Sequence, residues 1–191
     1  GATWTTHKPY PVDPEDEQDI AALTEALIEA LAITPDGDVW FGTANGAYHL
    51  ADQALALTGE FTGWRYADDG SSHLLNQVPT HYTTADGLHD NDFFVILDDG
   101  DGGLWFSGNR GVWRVLKKDF ERYAQGEIEA IPYRLLGRAE GMRNEECNGG
   151  FWPAGVVASH GELWFATIDG AAAIDPASLP PDEHGGHVRI E

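Results

Sequence analysis

The chain has 191 residues, of which 42% are hydrophobic and 11% aromatic, so it can bury a sizeable core and is not disordered throughout. Its 23 glycines and 10 prolines suit many short strands joined by tight turns better than a helical bundle. With 11 basic and 32 acidic side chains, the formal net charge is -21, and a surface this negative repels nucleic acid and anionic lipid.

The first predicted element is a short helix at residues 16–27. Pro14 and a run of acidic residues begin it, and both favour a helix N-terminus, while apolar residues then recur at helical spacing. No apolar run reaches the roughly 20 residues that a bilayer span needs. The N-terminus also lacks a basic start followed by an apolar stretch, so we expect no signal peptide in this sequence.

After the helix, one pattern occurs three times, reading G-x-[LV]-W-F-x-x-x-x-G. The copies occupy residues 37–46, 102–111 and 161–170, and each is flanked by apolar segments. Glycine next to Asp or Asn supplies the left-handed backbone positions of tight hairpins. Each unit therefore reads as strand, turn, strand, turn, strand, and an internal repeat of this kind predicts stacked units such as the blades of a β-propeller.

The central strand of each unit is apolar on both faces, because Leu or Val, then Trp, then Phe follow one another. Such a strand suits a sheet that is buried between two neighbouring sheets. We interpret Trp40, Trp105 and Trp164 as packing residues between blades. Stacking platforms for sugars are the alternative for these three side chains.

The fold class that follows is all-β. We predict a partial β-propeller of three four-stranded blade units with a short N-terminal helix, in a single domain over residues 1–191. The blade units cover approximately residues 27–84, 93–136 and 155–190.

Outer, fourth strands are predicted at residues 81–84 and 132–136. The intervals between the repeated tryptophans, residues 40 to 105 and 105 to 164, exceed the roughly 40–50 residues of common blades. Insertions are therefore predicted within residues 57–79, as an extra strand, and 117–131, with one helical turn.

These units resemble the blades of the two-component regulator propeller family. The second unit carries the family pattern in Asp86-Gly87-Leu88-His89-Asp90-Asn91, Asp99, Gly102, Leu104-Trp105 and Gly111. The third unit is similar to the last blade of such sensors in Glu140-Gly141-Met142, Asn148-Gly149-Gly150 and Ile174-Asp175-Pro176.

The resemblance implies an extracytoplasmic sensor, periplasmic or extracellular, that detects ligands such as oligosaccharides and signals to an output domain. We therefore expect a non-catalytic ligand-sensing or assembly module. A propeller lyase or hydrolase and a structural self-association fragment are the alternatives.

Ligands of propellers usually meet loops at one face of the disc, and a cluster of Asn, Arg and Trp suits a sugar or a carboxylate. The turns inside the repeats and the links between blades carry such residues. The predicted ligand-binding set is Asn45, His89, Asn91, Asn109, Arg110, Asn148 and Trp152.

Signals for catalysis and for metals are weak. The acidic stretch 98–102 lacks the spacing of a calcium loop and predicts a plain hairpin turn. The histidines lack zinc spacing, and Cys147 has no His or Asp arrangement around it that would make it a nucleophile. We predict no catalytic residue, no metal and no cofactor.

Three blades cannot close a ring, because a propeller needs at least about four. Open blades with apolar faces associate readily. We therefore expect either pairing of two copies edge to edge, as a homo-oligomer, or completion of the ring by further blades of a longer chain.

Overall fold

The computed structural model describes residues 28–51, 80–150 and 153–180, together with the backbone of residues 10–11, 65–66 and 72–73. The predicted N-terminal helix at residues 16–27 and the predicted site residue Trp152 lie outside these ranges. The strands, in chain order, are β1 (Tyr10–Pro11), β2 (Ala30–Ile33), β3 (Val39–Thr43), β4 (Gly46–Leu50), β5 (Arg65–Tyr66), β6 (Ser72–His73), β7 (Thr80–Tyr82), β8 (Val95–Asp98), β9 (Gly103–Gly108), β10 (Gly111–Leu116), β11 (Arg134–Leu136), β12 (Gly155–Val157), β13 (Leu163–Thr167) and β14 (Gly170–Ile174).

The strands form three antiparallel sheets and a separate two-stranded hairpin of β5 and β6. The first sheet has the order β1-β7-β4-β3-β2, the second β11-β10-β9-β8, and the third β12-β13-β14. Apart from β1, each sheet is a meander that begins with an edge strand: β2, β8 or β12. These three inner strands lie close together, since β2 lies beside β8 and β8 lies beside β12. Sheets that follow one another in this way are the blades of a partial β-propeller, and the predicted fold class is confirmed.

The predicted outer strands are confirmed as β7 and β11. Two differences from the predicted four-stranded blades stand out. The first blade has a fifth strand, because β1 pairs with β7 on its outer side. The third blade has three strands within residues 153–180.

Two apolar cores fill the spaces between consecutive blades. The first, between blades one and two, contains Trp40 opposite Phe106 and Trp113. The second, between blades two and three, contains Trp105 opposite Phe165. Residues that alternate along one central strand, such as Trp105 and Phe106, therefore face different cores, which is why each central strand is apolar on both faces.

The second insertion forms a helix, α1 (Lys117–Ala124), which is longer than the single turn predicted. Phe120 inserts into the first core, with its ring 4.6 Å from that of Trp40 and 4.9 Å from that of Tyr82. The Tyr123 hydroxyl donates to Asp86 Oδ1 at 2.8 Å. The insertion thus fills the gap between the first two blades.

The acidic stretch 98–102 is the predicted hairpin turn. The Oδ1 atom of Asp99 accepts from the backbone N–H groups of Asp101 and Gly103 at 2.8 and 2.9 Å. Its Oδ2 atom accepts from Trp105 Nε1 at 2.9 Å and from Arg114 Nε at 3.0 Å. Burial alone would raise the pKa of the Asp99 carboxyl, but these hydrogen bonds and the charge of Arg114 outweigh it and lower the pKa.

The links between blades use one local structure twice. In the first link Asp86 accepts from the N–H and the hydroxyl of Thr83, and Gly87 ends the turn with φ 107°. In the second link Glu140 accepts from the N–H of Gly137, and Gly141 ends the turn with φ 103°. Both glycines occupy the left-handed region that residues with a Cβ rarely adopt.

Cys147 lies between blades two and three. It is buried, its N–H donates to the Gly108 carbonyl at 3.1 Å, and it forms a bridge to Thr167. Burial raises the pKa of its thiol to about 11. The protonated thiol is a poor nucleophile, in line with the structural role predicted for it.

The two link glycines allow a matched test of backbone crowding. A Cβ at Gly87 would lie 2.6 Å from the Ile131 nitrogen, whereas a Cβ at Gly141 would meet nothing within 4 Å. Gly141→Ala should lower the free energy of unfolding by about 1–2 kcal/mol, because alanine disfavours the left-handed conformation. Gly87→Ala should lower it by about 1–3 kcal/mol more, because the backbone at Ile131 must also move. Urea unfolding measures both, and equal losses would contradict the crowding at Gly87.

The Asp99 carboxylate should contribute far more to the free energy of unfolding than an exposed carboxylate does. Asp99→Ala leaves Arg114 and the Trp105 N–H without their partner, so the free energy of unfolding should fall by about 3–5 kcal/mol at pH 7. The control is Asp36→Ala, since Asp36 pairs with Lys117 at 3.1 Å but is more than half exposed, and it should cost less than about 1 kcal/mol.

The pH dependence provides a second reading of the same variant. Because the folded-state pKa of Asp99 is lowered, its contribution is complete above its unfolded pKa of about 3.9 and is lost as the pH falls through the folded pKa. The gap in stability between wild type and Asp99→Ala should therefore narrow below about pH 4. A gap that is constant from pH 7 to pH 3 would show that packing, not charge, causes the loss.

Candidate ligand-binding face

The meander brings two kinds of loop to the same end of each blade. The turns β3–β4, β9–β10 and β13–β14 lie there, and so do the described parts of the links that run from one blade to the next, at residues 83–94 and 137–150. We call this end the loop face. Hydrogen bonds between turns and links hold it together.

His89 and Arg110 meet on the loop face. The His89 Nε2 atom lies 3.2 Å from the Arg110 carbonyl oxygen, to which it donates in the tautomer that fits. The His89 ring lies 5.3 Å from that of buried Trp113 and 5.1 Å from that of exposed Tyr133. Burial lowers the pKa of His89, so the ring is neutral at pH 7, while the Arg110 side chain is exposed to solvent.

Asn109 and Asn91 each have a structural partner. The Asn109 amide donates to Asp92 Oδ2 at 2.6 Å, which fastens the β9–β10 turn to the link before β8. The Asn91 side-chain oxygen accepts from the Thr84 N–H at 2.7 Å, within the same link. Asn91 therefore stabilises the loop, and one of its side-chain atoms is already used.

Asn45 and Asn148 belong to a different turn and a different link. The Asn45 carbonyl oxygen accepts from His81 Nε2 at 3.0 Å, and its exposed side chain is at the tip of the β3–β4 turn. Asn148 is exposed in the link between blades two and three, and its N–H donates to the Ala166 carbonyl at 2.9 Å. The described residues of the predicted set thus lie on the first two blades and in the two links between blades, and a hydrogen bond joins the His89 side chain to the backbone of Arg110.

Two neighbours of the predicted set carry no signal in the sequence. The sequence predicts Tyr133 in an outer strand, and only the tertiary packing brings its ring beside His89. Glu29 precedes β2, and partial desolvation, followed by the charge of Asp92, raises its pKa. Burial and then the charge of Asp90 raise the pKa of Asp92 in turn. A Glu before one inner strand and an Asp before the next carry no spacing signal that marks them as a pair.

The repeated tryptophans differ in exposure. Trp40 and Trp105 are buried between blades, as predicted for packing residues, so neither can stack on a sugar. Trp164 is exposed, and this is the exception to the prediction. Its central strand is the last of the three, and no later blade is present within the described residues to cover it.

Among the described residues, no group of three or more His, Cys, Asp and Glu side chains is arranged to hold a metal ion. In the same ranges, no helix has the length and apolar character for crossing a membrane.

Comparisons with known proteins give structural likenesses only. No protein-family model matches the chain, and no curated protein matches it. The solved structures that resemble it include virginiamycin B lyase from Staphylococcus aureus, at 17% identity over 80% of this chain and 41% of that one, with a TM-score of 0.40. A catalytically inactive form of that lyase with quinupristin has 15% identity over 82% of this chain and 42% of that one, with a TM-score of 0.39.

A further similar structure is the extracellular domain of a putative hybrid two component system from B. thetaiotaomicron. It has 17% identity over 80% of this chain and 22% of that one, with a TM-score of 0.36. This chain therefore spans about two fifths of the lyase and about one fifth of the sensor domain.

Proposed function

We propose that the chain is a ligand-sensing part of an extracytoplasmic β-propeller and that its loop face binds a neutral oligosaccharide without transforming it. The observation that carries the proposal is the group formed by His89, Tyr133 and Arg110. Exposed Tyr133 lies 5.1 Å from the His89 ring, so the two rings form an adjacent aromatic pair. The exposed Arg110 side chain is on the turn whose carbonyl accepts from His89, and after burial its positive charge also lowers the pKa of His89.

Such a group suits a sugar ring in two ways. Aromatic side chains pack against the apolar faces of sugars, and Arg and Asn supply fixed hydrogen-bond donors for hydroxyl groups. The overall charge then selects among sugars. A formal charge of -21 disfavours anionic ligands at long range, so a neutral oligosaccharide fits better than a uronic acid.

A propeller lyase or hydrolase is the second candidate, and the Glu29–Asp92 pair favours it. Both carboxyl groups have raised pKa values, and Glu29 is raised partly by the charge of Asp92. Carboxyl groups perturbed in this way are common in general acid–base catalysis. Release of products from an oligosaccharide, abolished by Asp92→Asn, would support this candidate and contradict the binding proposal.

Arg110→Ala tests the binding proposal. The wild-type chain is screened on an array of neutral oligosaccharides, and the strongest binder is titrated by calorimetry. Loss of the charged donor should weaken affinity by about tenfold or more, since hydrogen bonds to charged groups are worth roughly 1.5–3 kcal/mol. Tyr133→Ala should weaken binding as well, through loss of stacking.

Lys118→Ala is the matched control, because it removes the same charge from an exposed position on α1 rather than on the loop face. It should bind as tightly as wild type. Equal losses of affinity in Arg110→Ala and Lys118→Ala would mean that the net charge of the chain, and not a contact with Arg110, determines the affinity. Absence of binding to every neutral oligosaccharide would contradict the proposal.

A further inference from the structure

The three blades present one equivalent row of side chains on the face that points toward the next blade. Cross-strand pairing places the repeated tryptophan in the middle of each row. In chain order, the rows are Ala32–Trp40–His49, Leu97–Trp105–Arg114 and Val156–Trp164–Ala173.

The first two rows are covered and the third is open. Trp40 is 2% exposed and Trp105 is 0% exposed, because the following blade packs against each of them. Trp164 is 41% exposed and Val156 beside it is 51% exposed. The third row therefore offers an apolar surface at the register where this chain twice places a blade.

The side chain next to the tryptophan points to the same conclusion. The His49 ring stacks on Trp40 at 4.2 Å, and the Arg114 guanidinium lies 5.7 Å from the Trp105 ring centre. The corresponding residue in the third blade is Ala173, whose methyl group cannot cover an indole ring. Among the described residues, Trp164 therefore lacks the neighbour that covers the ring of Trp40 or Trp105 in the other two rows.

The complementary surface is on the first blade. Leu31 is 57% exposed and Ile33 is 64% exposed, on the face of β2 that points away from the second blade. Leu31 is the counterpart of Ile96, since each pairs with the Phe of its repeat, Phe41 or Phe106. Ile96 is 4% exposed and belongs to the core that covers Trp40. The first blade therefore presents the type of surface that covers a tryptophan row inside the chain.

We propose that the open Trp164 row of one copy docks against the Leu31–Ile33 surface of a second copy, in the same way as consecutive blades pack within the chain. Two copies related by a twofold axis along the propeller axis make this contact twice. Two sets of three blades then close a ring of six, within the range of known propellers. The pairing removes both open apolar faces.

The charge of the chain predicts how this association depends on salt. Each copy carries a formal charge of -21, so two copies repel each other, while the apolar contact does not depend on ionic strength. Screening in about 1 M NaCl reduces the Debye length to about 3 Å, so dimerisation should be tighter there than in dilute buffer.

Sedimentation velocity tests the proposal with the full chain. The wild type should sediment as a dimer of the 20.8 kDa chain in about 1 M NaCl. Trp164→Glu and Leu31→Glu place a charge in every ring contact, so each variant alone should be monomeric. An equimolar mixture of the two should recover a dimer, because one of the two contacts then joins two unaltered surfaces.

Leu135→Glu is the control, since Leu135 is an exposed apolar residue on β11, outside both docking surfaces. It should dimerise like the wild type, and circular dichroism should show that all variants are folded. A wild type that stays monomeric at high salt would overturn the proposal and favour further blades of a longer chain as the cover. Dimerisation of Trp164→Glu alone, or failure of the mixture to associate, would overturn it as well.

Discussion

The structure depends on one constraint: a blade whose central strand is apolar on both faces must be covered on both faces. Trp105 and Phe106 follow one another on β9 and fill two different cores. No sheet of this kind is stable by itself, so the repeat has to be stacked. The order of the blades along the chain and the closeness of their inner strands follow from this constraint. Trp164 is exposed because, within the described residues, no later blade covers the third one.

Polar groups determine how the blades are held in register. Asp99 connects a hairpin turn, the indole N–H of Trp105 and the Arg114 guanidinium through four short hydrogen bonds. Asp86 performs the corresponding task in a link, where it stabilises the turn and accepts from Tyr123 of the inserted helix. Both carboxylates are tolerated in buried surroundings because each accepts several hydrogen bonds.

The same connectivity explains where a ligand can bind. A meander returns the repeat turns and the blade links to one end, so polar residues that are far apart in sequence become neighbours, as His89 and Arg110 do. Some predicted binding residues, such as Asn91, turn out to stabilise the loops instead. The loop residues that can bind a ligand are therefore those whose side chains are not already used to stabilise the loops.

The repeat pattern by itself determined the all-β class, the three blades, the hairpin turns and the burial of Trp40 and Trp105, because local turn chemistry and two-sided apolar strands are visible in sequence. Only the tertiary structure decided that Tyr133 stands beside His89, that Glu29 interacts with Asp92 and that Trp164 is exposed. These facts depend on which segments meet across blades and on where stacking stops, and neither is encoded in the residues next to each other along the chain.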